Sequence, residues 1–192
     1  MALTLEEMTA VGAHQKGHFR LSSGLHSGDY LQCAIYLADP VRAGRVGEEL
    51  AAAIRSAGLA PDLVVSPALG GVIVGHETAR ALGVPFLFTE RQDGVMTLRR
   101  GFALAPGQRV VIVEDVVTTG KSTREVVDVI GTAGAEVVGL ASMVNRSGDP
   151  NPFAPVPYRA LLEVVFPTWR PEECPLCAEG MPVVKPGSRP VA

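Results

Sequence analysis

Apolar positions along the chain follow two rhythms, and their alternation predicts the fold class. Short continuous runs at residues 62–66, 84–88, 109–113 and 137–144 are rich in β-branched side chains, as expected of strands buried on both faces of a parallel sheet. Between them lie segments with helical spacing. Residues 40–57 place Val41, Val46, Leu50, Ala53 and Ile54 along one stripe and stop at Gly58. Residues 72–82 and 122–133 follow the same logic, the latter closed by Gly134. Near the start, residues 5–11 predict a short helix capped by Thr4, with Glu7 three positions later completing a capping box. Residues 19–21 and 30–36 are strand-like and flank the turn Ser22-Ser23-Gly24. No repeat, low-complexity tract or linker interrupts the series, so residues 1–192 are expected to form one α/β domain with a parallel sheet and right-handed crossovers.

One connection breaks the regular spacing. Residues 89–108, TERQDGVMTLRRGFALAPGQ, form a stretch too long for a simple loop in a compact domain. Two readings are open: a hairpin with arms at 97–99 and 102–104, or a mobile lid whose Arg91, Arg99 and Arg100 close over an anionic group.

Candidate chemistry concentrates in VVIVEDVVTTGKS, residues 110–122. A buried strand ends in two adjacent acids, then a Thr-Thr-Gly turn leads into a helix. Ligands bind at the carboxyl ends of strands in such sheets. Thr118, Thr119, Gly120 and Ser122 offer hydroxyls and backbone N–H groups at a helix start, where unpaired donors and the dipole attract phosphate. Glu114 and Asp115 would repel phosphate, and suit sugar hydroxyls or Mg²⁺ instead. Gly120-Lys121-Ser122 matches the end of a triphosphate-binding loop, but that pattern needs glycine where this chain has Asp115, and an acid inside a phosphate cradle is electrostatically wrong. Lys121 can add charge at the loop or stand solvated on the helix. Pro67-Ala68-Leu69-Gly70-Gly71 also links a strand to a helix; its N–H groups can face a pyrophosphate, or its glycines can serve a tight turn.

EDVVTTGKS resembles the ribose-phosphate loop of type I phosphoribosyltransferases. FRLSSGLHSGDYLQ at 19–32, PALGG at 67–71, RRGF at 99–102, NR at 145–146 and CPLCAEGMPVVKPGSR at 174–189 are similar to orotate phosphoribosyltransferases, so the resemblance spans nearly the whole chain. It implies the type I phosphoribosyltransferase fold, a mostly parallel sheet flanked by helices with a small hood, about residues 15–36 plus C-terminal elements, over the base site. The implied reaction joins ribose 5-phosphate from phosphoribosyl pyrophosphate to orotate. The resemblance gives Asp115, Arg91, Arg99 and Arg100 catalytic roles. It assigns the sugar pyrophosphate to Glu114, Asp115, Val116, Val117, Thr118, Thr119, Gly120, Lys121, Ser122, Leu69 and Gly70. Orotate falls to Thr118, Arg146, Ser22 and Tyr30, and Mg²⁺ arrives with the sugar pyrophosphate, Asp115 reaching it through water. A homodimer is implied, the 89–108 loop of one subunit reaching the other's site. Three departures stand out: glycine at 70 where many relatives carry lysine, serine at 22 where some do, and arginines where the family lid commonly has lysines and a histidine.

Two other functions fit less well. A purine phosphoribosyltransferase would share the 114–122 loop but not the LSSG segment or Arg146, and a sugar-phosphate-sensing regulator would normally carry a basic surface. The formal net charge is −3 with no Lys/Arg block, which argues against nucleic acid. No stretch reads as a signal peptide or membrane span, so the expected address is the cytoplasm. Three cysteines are too few for a disulfide framework. Cys174 and Cys177 have the spacing of half a zinc site, leaving two readings: thiols on a structured turn, or a metal shared across a dimer axis. His14, His18, His26 and His76 show no ligand spacing, and solvated or capping roles are expected for them.

Overall fold

The computed structural model describes residues 3–21 and 23–186. Thr4 caps helix α1 (Leu5–Ala10), its hydroxyl accepting from the Glu7 N–H at 3.2 Å. The second half of the predicted capping box does not form, because the Glu7 carboxylate turns away to Arg45 and the Tyr36 hydroxyl. A charged fork offers stronger hydrogen bonds than a backbone N–H. Strands β1 (His14–Arg20) and β2 (His26–Leu31) form an antiparallel hairpin. The strand expected over 30–36 ends at Leu31 and gives way to helix α2 (Cys33–Leu37), since a short apolar run does not by itself distinguish strand from helix.

From there the chain alternates as expected: α3 (Pro40–Ser56), β3 (Leu63–Pro67), α4 (Gly70–Leu82), β4 (Phe86–Gln92), β5 (Val95–Leu98), β6 (Arg109–Val117), α5 (Lys121–Thr132), β7 (Glu136–Asn145) and β8 (Tyr158–Glu163). The sheet order is β5-β4-β3-β6-β7-β8, with every pair parallel except β4 and β5. Alternation along β6 divides the core. Val111 and Val113 pack towards α3 and α4 with Val46, Leu50 and Val74, while Val110 and Ile112 pack towards α5 with Val126 and Ile130. All of these are fully or almost fully buried, which explains why β6 reads as an unbroken apolar run.

The long connection contains a hairpin, but not the expected one. Its arms are β4 and β5, Arg91 facing Met96, and its turn is Asp93-Gly94, both with positive φ. Asp-Gly is the preferred pair for such a two-residue turn. Thr97 and Leu98 belong to β5, and residues 99–108 return to β6 without further strand.

A second, small sheet has the order β1-β2-β9, where β9 is only Thr168–Trp169. The chain then passes through a single 3-10 turn (Pro171–Glu173) and α6 (Pro175–Ala178) and returns along the other edge of the hairpin. There Val184 accepts from the Arg20 N–H and donates to the His18 carbonyl, each at 2.8 Å. The C-terminal segment thus brackets the hairpin on both edges. No helix among the described residues is long and apolar enough to cross a membrane.

Candidate functional site

The carboxyl ends of β3, β6 and β7 bring most of the singled-out residues together. Glu114 and Asp115 lie in the last turn of the β6 register, where Glu114 still pairs beside Ser142 of β7. Glu114 is 8% exposed, and its Oε1 accepts from the Asp115 N–H at 3.2 Å. Burial pushes the Glu114 carboxyl well above the usual range, with the neighbouring Asp115 adding to it; burial also raises Asp115. Among the described residues no lysine or arginine forms an ion pair with either acid. Two adjacent carboxylates held out of water without a countercharge will favour any cation, or developing positive charge, that reaches them.

The β3–α4 loop is fitted to Asp115. A Cβ at Gly70 would sit 2.6 Å from Asp115 Oδ1, so the absence of a side chain there lets the carboxylate lie against the first turn of α4. Gly70 and the exposed Leu69 flank this approach, and the Ala68–Leu69 peptide is cis. The close-packing reading of the two glycines is met: a Cβ at Gly71 would likewise lie 3.0 Å from the Ser66 Cβ.

Val116 and Val117 are strand residues, paired with Val144 and Asn145, and the Val117 carbonyl accepts from the Arg146 N–H at 2.7 Å. Beyond them Thr118 and Thr119 are exposed, and Gly120 takes a left-handed φ of 70° at the start of α5. Gly120 has no side chain to cap this helix, and Thr119 Oγ1 accepts from the Lys121 N–H at 3.4 Å. What holds the loop is not visible in the sequence. Arg124 donates to the Thr119 carbonyl at 2.6 Å and the Pro152 carbonyl at 2.7 Å while lying over the Phe153 ring. A Cβ at Gly120 would meet that guanidinium at 2.7 Å and the ring at 2.8 Å. Lys121 is exposed.

Arg146 follows β7 on the neighbouring strand. Its guanidinium lies 5.0 Å over the Phe166 ring, whose other neighbour is the stacked His14 imidazole. The Arg146 Nε is buried without a hydrogen-bond partner, and burial lowers the pKa of the group. Asp29, the acid whose charge acts most on it, is bonded to His14 Nε2 at 2.8 Å. Tyr30 belongs to the same pocket: burial raises its hydroxyl, and Arg146, Asp115 and Cys33 are close enough to act on it. Cys33, fully buried beside the Asp115 carbonyl, is held well above its ordinary pKa by burial and then by the two acids. Ser22 falls outside the described residues, as do residues 187–189 of the last family-like motif.

The three loop arginines are not gathered at this site. Arg91 pairs with Glu125 of α5 and donates to the Gly94 carbonyl, while Arg99 and Arg100 both engage Glu90, Arg100 through two bonds of 2.9 and 3.1 Å. Each is held by an acid on or beside the hairpin. The histidines differ from expectation as well. His14, His18 and His26 are 5%, 3% and 5% exposed, each with a specific partner, and only His76 is solvated.

Residues 36–161 match the phosphoribosyl transferase domain family. The orotate phosphoribosyltransferase of Carboxydothermus hydrogenoformans is 54% identical over 174 residues, which cover 91% of each chain. That of Sphingopyxis alaskensis is 51% identical over 189 residues, 98% of this chain and 96% of the relative. Among solved structures, Mycobacterium tuberculosis orotate phosphoribosyltransferase in complex with Fe(III) dicitrate superposes with a TM-score of 0.69 at 23% identity, covering 83% of this chain and 93% of that one. An adenine phosphoribosyltransferase from Thermoanaerobacter pseudethanolicus gives 0.67 at 19%, covering 84% and 100%. An orotate and an adenine enzyme thus share this architecture, and the discrimination rests on the sequence relatives.

Proposed function

The chain belongs to the orotate phosphoribosyltransferases, and from that membership we propose that it transfers ribose 5-phosphate from phosphoribosyl pyrophosphate to orotate, releasing pyrophosphate and forming orotidine 5′-phosphate for pyrimidine synthesis. The observation that carries the assignment onto this site is a reversal of uncompensated charge between the carboxyl ends of two adjacent strands. Two acids without a cation, Glu114 buried and Asp115 partly so, end β6, and a half-buried guanidinium without an ion-pair partner, its Nε unbonded, follows β7. The reaction needs that pair, because the sugar becomes cationic as its anomeric bond breaks while orotate brings a carboxylate and an imide edge.

In this reading Glu114 and Asp115 accept hydrogen bonds from the ribose hydroxyls and stabilise positive charge on the ring. Thr118 to Ser122 hold the 5-phosphate at the start of α5, with Arg124 fixing the loop from behind. Leu69 and Gly70 present backbone donors to the pyrophosphate. Arg146 forks onto orotate, with Tyr30 and Thr118 bordering the base and the Ser22 segment closing over it. The small sheet serves as the hood.

Mg²⁺ fits the donors present. Asp115 offers hard oxygen donors without a protein countercharge, its carboxylate lying against Gly70, and would hold the ion through water. When bound with the sugar pyrophosphate, Mg²⁺ supplies charge neutralisation to the leaving group. Arg91, Arg99 and Arg100 complete that neutralisation after the 89–108 segment releases its acidic partners and closes, in a homodimer over the other subunit's site. The three free thiols suit a cytoplasmic address.

Incubation with phosphoribosyl pyrophosphate, Mg²⁺ and each of orotate, adenine and hypoxanthine tests the assignment. Loss of orotate absorbance with stoichiometric pyrophosphate release is expected. Turnover of a purine but not orotate overturns it, and so does tight sugar-phosphate binding without pyrophosphate release.

A further inference from the structure

Four side chains outside the matched 36–161 region converge on one point: His18 of β1, His26 of β2, and Cys174 and Cys177 flanking the start of α6. Their ligand atoms all lie within 4.8 Å of one another. The separations are 2.9 Å from His18 Nε2 to His26 Nδ1, 3.5 Å from Cys174 Sγ to His18 Nε2, 3.6 Å from Cys177 Sγ to His18 Nε2 and 3.3 Å from Cys177 Sγ to His26 Nδ1. Zinc bonds of about 2.0–2.1 Å to nitrogen and about 2.3 Å to sulfur place tetrahedral ligand atoms roughly 3.3–3.8 Å apart. Those four separations are within about half an ångström of that spacing, and no pair in the cluster exceeds 4.8 Å.

Proton placement supports the same conclusion. His18 Nδ1 lies 2.7 Å from the Met181 carbonyl, which can only accept, so Nδ1 carries the proton and Nε2 turns a lone pair into the cluster. A ligating histidine is commonly oriented by such a bond from its other nitrogen. His18, His26 and Cys174 are buried, leaving only Cys177 at the surface. We propose that these four residues bind one zinc ion per chain as a closed Cys₂His₂ site. Two sulfur and two imidazole donors select zinc over the oxygen-seeking Mg²⁺ of the reaction, and four protein ligands leave no position for substrate. The ion ties the β1–β2 hairpin to the C-terminal segment. A hairpin closed by a two-residue third strand gains stability from such a tie. The half-site visible in the Cys174/Cys177 spacing is thereby completed within one chain rather than across a dimer axis.

The test uses the full-length, untagged protein purified in reductant without chelator. Elemental analysis is expected to give one zinc per chain, and thiol titration under native conditions to find Cys174 and Cys177 reactive only after the metal is stripped. Refilling the stripped native protein with Co²⁺ is expected to give the visible bands of a tetrahedral ion with sulfur-to-metal charge transfer. Cys177→Ser, at the exposed position, weakens those bands and lowers the zinc content of protein whose circular dichroism is unchanged. Metal-free native protein that takes up no Co²⁺ overturns the proposal in favour of a hydrogen-bonded histidine pair beside two thiols. Half-stoichiometric zinc, or zinc content unchanged by both Cys177→Ser and His26→Ala, also overturns it.

Discussion

Replacing Arg146 with alanine separates substrate recognition from stability, because the two effects are expected to differ greatly in size. The guanidinium is half-buried over Phe166, its Nε has no partner, and burial lowers its pKa. Before orotate binds, the group therefore sits in an unfavourable environment. Relieving an unsatisfied buried polar group is worth about 1–3 kcal/mol. Against this stands the lost cation–π contact, worth about 0.5–2 kcal/mol depending on desolvation. The free protein should lose little or no stability in urea. Binding changes much more. Hydrogen bonds to a charged group contribute about 1.5–3 kcal/mol. At about 1.4 kcal/mol per factor of ten, that raises the KM for orotate roughly 10- to 150-fold. The KM for phosphoribosyl pyrophosphate, measured at saturating orotate, should move little. Steady-state kinetics in both substrates, with urea denaturation of the same preparation, gives every quantity. An unchanged orotate KM, or equal rises for both substrates with a large drop in stability, would refute the reasoning and make Arg146 a packing residue.

Gly70→Ala places a methyl against the Asp115 carboxylate at an initial 2.6 Å. Overpacking of this kind costs about 1–3 kcal/mol, and it should appear as weaker sugar-pyrophosphate binding and slower turnover while the helical circular dichroism persists; wild-type kinetics would disprove the fit. Glu114 has a folded pKa raised by burial, so the stability associated with its neutral form is present below the ordinary glutamate value and is lost as pH rises through the raised value. The stability advantage of Glu114→Gln over the native protein should therefore grow as pH rises from about 4, whereas a pH-independent difference in urea midpoints would contradict the burial argument. Taking the difference also cancels Glu7, whose pKa is lowered by Arg45 and whose stabilisation is lost in the opposite direction, as pH falls. The double variant Arg99→Ala/Arg100→Ala should depress turnover far more than sugar-pyrophosphate binding measured by calorimetry; equal losses would mean that the arginines act in the ground state.

What the sequence disclosed was set by how local the cause is. β6, its two acids and the loop into α5 are consecutive residues, and the burial of both sheet faces leaves a continuous apolar run. The N-cap at Thr4 is equally local. Residues 33–37 were misassigned because CAIYL is apolar in either geometry, and only packing against the core fixes it as helix. The Asp93-Gly94 turn is a signal present in the sequence, and it sets the hairpin arms at β4 and β5 rather than at 97–99 and 102–104. β8 has no strong alternating signature in YRALLE and gains its place from pairing with β7. At the site, Arg124 looks like any surface arginine on a helix until its two carbonyl partners and Phe153 are seen. Phe166 and His14 are 152 residues apart and become a stack beneath Arg146 only in the folded chain. His18 and Cys174 meet across a comparable separation, which no ligand-spacing pattern in the sequence records.

The bracketing of the β1–β2 hairpin by Thr168–Trp169 and Val184 also orders events during synthesis. Residues 14–31 leave the ribosome early, yet their edge partners emerge only after the six-stranded core has been made. Loop closure over so long a segment comes late because its entropic cost is offset only once the intervening core is in place. The nascent hairpin therefore spends most of translation with both edges open, exposed to mispairing with other chains; a premature stop before Thr168 would leave both edges so permanently, and one between Trp169 and Val184 would leave the β1 edge open.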